Sequence, residues 1–224
     1  MSRDFTVIGR ALAAPVRSTI INLLMDGSAR PAGELATAAG VSASATSEHL
    51  AVLLDAGLIR CHTQGRQRFY RVSDSSVAAG LEHIGQLCPA AAVRSLRQSR
   101  QQRDLADARL CYDHLAGRIG VALTDTYVEH GWLTPNELSL TASGERAFTD
   151  LGIDLPGLHS RRRRLTRPCP DWTERQLHLA GSLGAAIADL FLQRDWTQRR
   201  PTGRGLTVTS HGAQALRTKL GVHL

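Results

Sequence analysis

Two cysteines and two histidines in the second half of the chain are of the right type to hold a metal or to run thiol chemistry. Cys111 and His114 stand one helical turn apart, so a helix would put both on one face. Further on, Pro168-Cys169-Pro170-Asp171-Trp172 leads into Glu174, Arg175 and His178. Where these two segments meet, Cys111, His114, Cys169 and His178 form a Cys₂His₂ set that a borderline-soft ion such as zinc accepts. Against this, neither pair has a common zinc-site spacing, and buried cysteine beside hydrogen-bonded histidine is the commoner fate of such residues. Two other chemistries stay open. Cys169 lies near Arg162 to Arg167, and a cationic neighbourhood lowers a thiol's pKa, as a sensor of oxidants or electrophiles requires. Tyr112, Trp172 and Arg175 could instead help to hold a small apolar or anionic effector. An enzyme using Cys111, His114 and Cys169 is a weaker reading, because no nucleophile elbow, phosphate loop or metalloprotease motif accompanies them. The expectation is no catalysis and no obligatory cofactor, with zinc as the candidate ion.

These residues sit inside an internal repeat. The segments Cys111 to Leu123 and Arg175 to Ile187 share His-Leu-Ala-Gly-x-x-Gly at an offset of 64. Trp132 then matches Trp196, Leu140-Thr141 matches Val208-Thr209, Gly144 matches Gly212, and Leu151-Gly152 matches Leu220-Gly221. Each copy reads as a long helix, a short extended piece and a second helix. The extended pieces are Leu138 to Thr141 and Gly205 to Thr209; the second helices are Ala142 to Leu151 and Ser210 to Leu220. Gly117, Gly120, Gly181 and Gly184 would each cost about 1 kcal/mol relative to alanine inside a helix. Their spacing puts them on one face, where another helix or a ligand can come close. Only the histidines of the donor set fall at equivalent positions in this alignment. Two such units predict a C-terminal domain over 108–224, with copies at 108–154 and 171–224. A connecting helix over 90–107 precedes it, and Arg161 to Arg164 reads as a solvated connector between the copies.

The first third of the chain has a different organisation. Pro15 is pre-set for a helix start, and Val16, Ile20, Leu23 and Leu24 follow at helical spacing up to Gly27. A short helix fits Pro31 to Ala39, and a third runs from about Ala43 to Ala56 behind Ser42 as N-cap. The third helix turns Leu50, Leu53 and Leu54 inward and leaves Ser44, Ala45, Ser47 and Glu48 on or near its other side. Small hydroxyl and methyl groups let a helix sink into a major groove and touch base edges. A hairpin from Leu58 to Val72 turns at Gln64-Gly65-Arg66 and carries Arg60, Arg66, Arg68 and Arg71 with no acid. Such a wing suits phosphates or a narrow minor groove.

In this order the residues resemble the ArsR family of bacterial winged-helix repressors. The resemblance rests on Ile8 to Arg17, Gly33-Glu34-Leu35-Ala36, Ser42 to Leu53, Ala56-Gly57-Leu58-Ile59 and Gly65 to Val72, within roughly the first 85 residues. It implies a homodimer, paired through the first helix and the one after the wing, on double-stranded DNA with an inverted repeat. It also implies repression relieved by an inducer. Metal-sensing members carry cysteines before the recognition helix; here Ser28 to Leu35 contains neither Cys nor His. Others use Asp and His ligands on the helix after the wing, a spacing that Glu82, His83 and Cys88 do not reproduce. Glu48 stands where relatives often place a cation, and its carboxylate could accept from a cytosine amino group. The expected DNA contacts are Ser42, Ser44, Ala45, Ser47, Glu48, Arg60, Gln64, Arg66, Gln67 and Arg68.

Composition fits a DNA binder: 27 Lys+Arg against 20 Asp+Glu give a net charge of +7, nearly all of the cation being arginine. No apolar run approaches membrane-spanning length and no export signal opens the chain. The four cysteines have no framework spacing, so a cytoplasmic protein is expected. The predicted fold class is mainly α with short β-hairpins: a winged helix-turn-helix over 1–89, then an internally duplicated helical effector domain. The predicted function is a sequence-specific transcriptional regulator, an effector-relieved repressor. An architectural DNA protein without an effector is the alternative from another class, and would bind without sequence preference.

Overall fold

In the computed structural model, which describes residues 3–89, 95–160, 162–201 and 203–222, α1 spans Thr6–Leu12 and Pro15 opens α2 (Pro15–Leu24). Ile20, Ile21 and Leu24 are the buried side of α2. Next come β1 (Arg30–Pro31), α3 (Ala32–Ala39) and α4 (Ala43–Asp55). Pro31 therefore caps α3 from a short strand and does not belong to the helix, as sequence had suggested. Ser42 caps α4, its side chain accepting from the Ala45 amide at 3.2 Å. Strands β2 (Ile59–Gln64) and β3 (Gln67–Val72) form the hairpin, and β1 adds to it in the antiparallel order β1-β3-β2. Leu35, Leu50, Leu53, Tyr70 and Val72 close the core of this unit.

The chain divides into two units at Gly80/Leu81, inside α5 (Ser75–Leu87), and not at 89. The reason is local: Glu82 on the far side of that point is buried in an ion pair with Arg204. Of the expected connecting helix, α6 covers Leu96–Asp107, and residues 90–94 lie outside the described set.

The second unit corrects the sequence reading most. Cys111 and His114 do not share a helical face. They lie on two strands, β4 (Arg109–Cys111) and β5 (His114–Ala116), joined by the tight turn Tyr112-Asp113. Helix α7 (Arg118–Glu129) starts only after Gly117, whose φ of 78° an L side chain rarely adopts. The same correction applies downstream. Cys169 lies on β6 (Arg167–Pro170), His178 on β7 (Leu177–Ala180), and α10 (Gly181–Gln193) begins after them. Helices α8 (Ala142–Asp150) and α9 (Leu155–His159) follow α7; strands β8 (Thr197–Arg199) and β9 (Leu206–Val208) follow α10. Helix α11 (Ser210–Ala215) runs into a π-helical turn over Leu216–Leu220.

Local geometry repeats between the halves. Thr141 N donates to Trp132 O at 3.1 Å, and Thr209 N donates to Trp196 O at 3.1 Å. Each threonine also caps its helix, accepting from Gly144 N at 3.1 Å or Gly212 N at 2.9 Å. The halves pack reciprocally, α7 against β7 and α10 against β5. Here the inner glycines have their use. A Cβ on Gly184 would stand 3.3 Å from His114 Cβ, and one on Gly120 would stand 3.6 Å from His178 Cβ. Both would also press on backbone at 2.5 Å, Leu179 O and Leu115 O respectively. A large apolar core, including Leu123, Tyr127, Phe148, Leu183, Phe191, Trp196 and Leu216, draws on both halves, and Cys111, Ala116, Cys169 and Ala180 form a smaller buried cluster beside it. Among the described residues, no single helix is long and apolar enough to cross a membrane.

This packing makes a testable contrast. Gly184→Ala is expected to cost the second unit about 1–3 kcal/mol through overpacking against backbone. Gly33→Ala, whose Cβ would meet nothing within 4 Å, should be neutral or stabilise the chain by about 0.4–1 kcal/mol. Thermal unfolding of the two variants beside the parent decides it.

Candidate functional site

In the first unit, α4 and the β2–β3 hairpin turn their chemistry outward. Ser42, Ser44, Ser47 and Glu48 are exposed and Ala45 is half-buried. Ser47 Oγ is occupied locally, donating to Ala43 O at 3.0 Å. Thr46, between these residues, faces inward and donates to Ser42 O at 2.8 Å. On the hairpin, Arg60, Gln64, Arg66, Gln67 and Arg68 are all exposed. Arg68 lies over the Tyr70 ring at 5.7 Å and donates to Cys61 Sγ at 3.4 Å, which braces it along the strand. Arg71 is half-buried, on the face of the sheet opposite Tyr70 and Val72.

In the second unit, four of the seven proposed effector residues converge. Cross-strand pairing sets Cys111 opposite His114 in one hairpin and Cys169 opposite His178 in the other. The cysteines as well as the histidines are therefore equivalent, which the sequence offset hid. All four are buried, and one potential ligand atom from each lies within 4.8 Å of the others. Sγ of Cys111 and Cys169 are 3.9 Å apart; Nε2 of His114 and His178 are 3.1 Å apart, the rings stacked at 5.0 Å. The outlying three residues have other places. Tyr112 forms the β4–β5 turn at φ 62° and is buried. Trp172 packs under the Arg109 guanidinium at 4.8 Å, and Arg175 is exposed in the β6–β7 turn.

Acids and arginines surround the donor set. Asp113 Oδ1 is 3.4 Å from His114 Nδ1 and 3.0 Å from Arg163. Asp171 Oδ2 is 3.5 Å from His178 Nδ1, which makes no hydrogen bond although it is buried. Asp171 also accepts from Arg109 at 2.9 Å and from the Gly117 amide at 2.7 Å. The electrostatics follow from this cage. Contact with Cys169 and burial push the Cys111 thiol up to about 12. Burial would raise Asp113, but its bonds to His114 and Arg163 outweigh that and hold it at about 2. Burial lowers His178. Burial opposes protonation of His114 too, but neighbouring Cys111 and Asp113 outweigh it and hold its pKa at about 9. The arrangement that satisfies both rings has His114 donating from Nε2 to the His178 Nε2 lone pair, a shared proton between facing nitrogens.

Arg109, Asp113, Asp171, Glu82 and Arg204 were not assigned roles from sequence. One signal was available: Arg109-x-Cys-x-Asp113 and Arg167-x-Cys-x-Asp171 have the same spacing. The arginine run is not simply a solvated connector either, since Arg163 is half-buried on Asp113.

Comparison with known proteins covers both units. The model for bacterial regulatory proteins of the arsR family matches residues 14–60. YdfF of Bacillus subtilis (strain 168), an uncharacterized HTH-type transcriptional regulator, is 40% identical over 226 residues, covering 100% of each chain. The HTH-type transcriptional regulator CmtR of Mycobacterium tuberculosis is 40% identical over 80 residues, 36% of this chain and 67% of that protein. Among solved structures, the NMR structure of the cadmium metal-sensor CMTR from Mycobacterium tuberculosis is 37% identical. It covers 40% of this chain and 92% of that one, with a TM-score of 0.32.

The ion pair at the centre of the second unit gives a prediction. Asp171→Ala leaves the Arg109 guanidinium, with no exposed side-chain surface, buried without its carboxylate, a loss of about 3–5 kcal/mol. Glu137→Ala, on an exposed residue, should change stability by no more than about 0.5 kcal/mol. Urea unfolding of both variants tests this; equal midpoints would show that Arg109 does not depend on Asp171.

Proposed function

Because the chain belongs to the arsR family of bacterial regulatory proteins and is a DNA-binding HTH-type transcriptional regulator, we propose that it acts as a homodimeric repressor of an inverted-repeat operator, released by an effector held in the second unit. The observation that carries the DNA reading is the pairing of surfaces in the first unit. A helix start with exposed Ser44, Ser47 and Glu48 is followed by a wing whose Arg60, Arg66 and Arg68 are exposed. Short side chains on α4 permit entry into the major groove, and the wing cations take phosphates or the adjoining minor groove. Phe5 and Val7 at α1, and Ile84 and Leu87 on α5, are exposed apolar groups on the helices through which the resemblance implies pairing, which supports the dimer. A twofold dimer presents two recognition helices and so reads a palindrome. A regulator that works on an operator acts in the cytoplasm and needs no catalytic residue.

The effector reading rests on the second unit. An effector relieves repression by binding the DNA-incompetent form more tightly, by a few kcal/mol. The buried Cys/His set supplies groups selective enough for that role. Burial of Cys111 and Cys169, each 1% exposed, counts against a sensor that reacts directly with bulky electrophiles.

Competition between the chain's own promoter fragment and random DNA, followed by anisotropy across a salt series, tests the repressor reading. Arg66→Ala and Arg68→Ala should each weaken binding to all sequences and reduce the salt slope by about one. Glu48→Ala should instead change the preference among operator variants, by about 1–3 kcal/mol at the position it reads. Equal affinity for promoter and random DNA at every salt concentration would favour the architectural alternative and remove this reading.

A further inference from the structure

We propose that Cys111, His114, Cys169 and His178 bind one divalent ion of the zinc class in a closed, four-coordinate site that clasps the two halves of the second unit. The inference deepens the effector reading above by naming the ligand chemistry, but it stands on separate observations. Each half contributes the same pair: a cysteine and a histidine facing each other across a hairpin. The hairpins bring the two pairs together because Gly120 and Gly184 leave room for the opposite histidine strand.

The sulfur–sulfur and nitrogen–nitrogen separations suit two edges of a tetrahedron. Zinc bonds of about 2.3 Å to sulfur and about 2.0–2.1 Å to nitrogen imply S–S and N–N edges of about 3.8 Å and about 3.3 Å. The chain holds 3.9 Å between the sulfurs and 3.1 Å between the Nε2 atoms. Two thiolates and two imidazoles are the donors that borderline-soft cations take, while calcium and magnesium need oxygen.

Charge balances as well. The ion displaces the two thiol protons and the proton shared between the imidazoles, all of which leave to solvent. Two thiolates, two neutral imidazoles and a divalent ion sum to zero, which suits a buried site. Asp113 and Asp171 then act as positioning residues. Each stands behind an Nδ1, at 3.4 Å and 3.5 Å, and fixes the tautomer that points Nε2 at the ion. That gives the otherwise unpartnered His178 Nδ1 its role.

The test uses the full chain, purified without chelator under reducing conditions. Elemental and native mass spectrometry should find one zinc-class ion per chain. After stripping, the chain should take up one Co²⁺ with tetrahedral ligand-field bands and thiolate charge transfer. Cys111→Ser and Cys169→Ser should each lose the charge-transfer intensity of one thiolate. Asp113→Asn should keep the spectrum but weaken Co²⁺ affinity about 10–100-fold in chelator competition. Should the cysteine variants fail to fold, the parent's Co²⁺ spectrum still decides. A folded, reduced parent that takes up no Co²⁺, or takes it up without charge transfer, overturns the proposal. Promoter binding of the same samples is scored separately, so a loss of sequence preference would count against the repressor reading alone.

Discussion

One carboxylate with no exposed surface, that of Asp171, organises the second unit. It accepts from Arg109 in the other half, from the first amide ahead of α7 at Gly117, and from Thr173 in its own turn. A buried ion pair gains little net stability, because the desolvation of both charges consumes most of the attraction. What this pair supplies is register. Arg109 opens β4, the strand that carries Cys111, and Asp171 follows β6, the strand that carries Cys169. With the two ends tied, the hairpins have one way to meet and the donor atoms one place to converge. Removing the tie leaves two hairpins free to slide, and a four-donor set tolerates little sliding.

The two halves are alike in plan and unequal in detail, and the inequality falls on the acids. Asp113 sits in a tight turn, half-exposed, and answers to Arg163 on the surface. Asp171 leads a longer turn that folds Thr173 and Glu174 back onto it and seals it from water. One imidazole is thus backed by a carboxylate that water can reach and the other by a dry one. The dry side is locked by Arg109 and Thr173, while the other side is open to water at Asp113.

Much of the first unit was legible from sequence because its signals are local. Pro15, Ser42 and the alternation from Ile59 to Val72 mark element ends and faces within a few residues of each other. The donor residues were legible by type and by repetition, yet their placement was misread as helical. From Cys111 to Leu123 the chain has no proline, and its turn is made by Tyr112 at φ 62°, a residue without turn signature. Asp113 was the one local hint. The cysteines looked inequivalent because the second turn is longer, which breaks a constant offset although the cross-strand register is preserved. Pairs such as Arg109 with Asp171 and Glu82 with Arg204, joined only by the fold, left no local trace.

The difference between the units also bears on what kind of activity the protein has. Wing arginines Arg60, Arg66 and Arg68 face water, where a phosphate can reach them. Arginines of the second unit at 109, 163 and 204 are matched to carboxylates and are spent on structure. A catalytic zinc keeps one position for water or substrate. In the proposed centre the chain fills every position, so no reacting molecule can join the ion without losing a protein ligand. Such a centre has two states, loaded and unloaded, that differ in how firmly two hairpins are held together. An equilibrium between two packings, biased by one ligand, is the physical content of a regulatory switch.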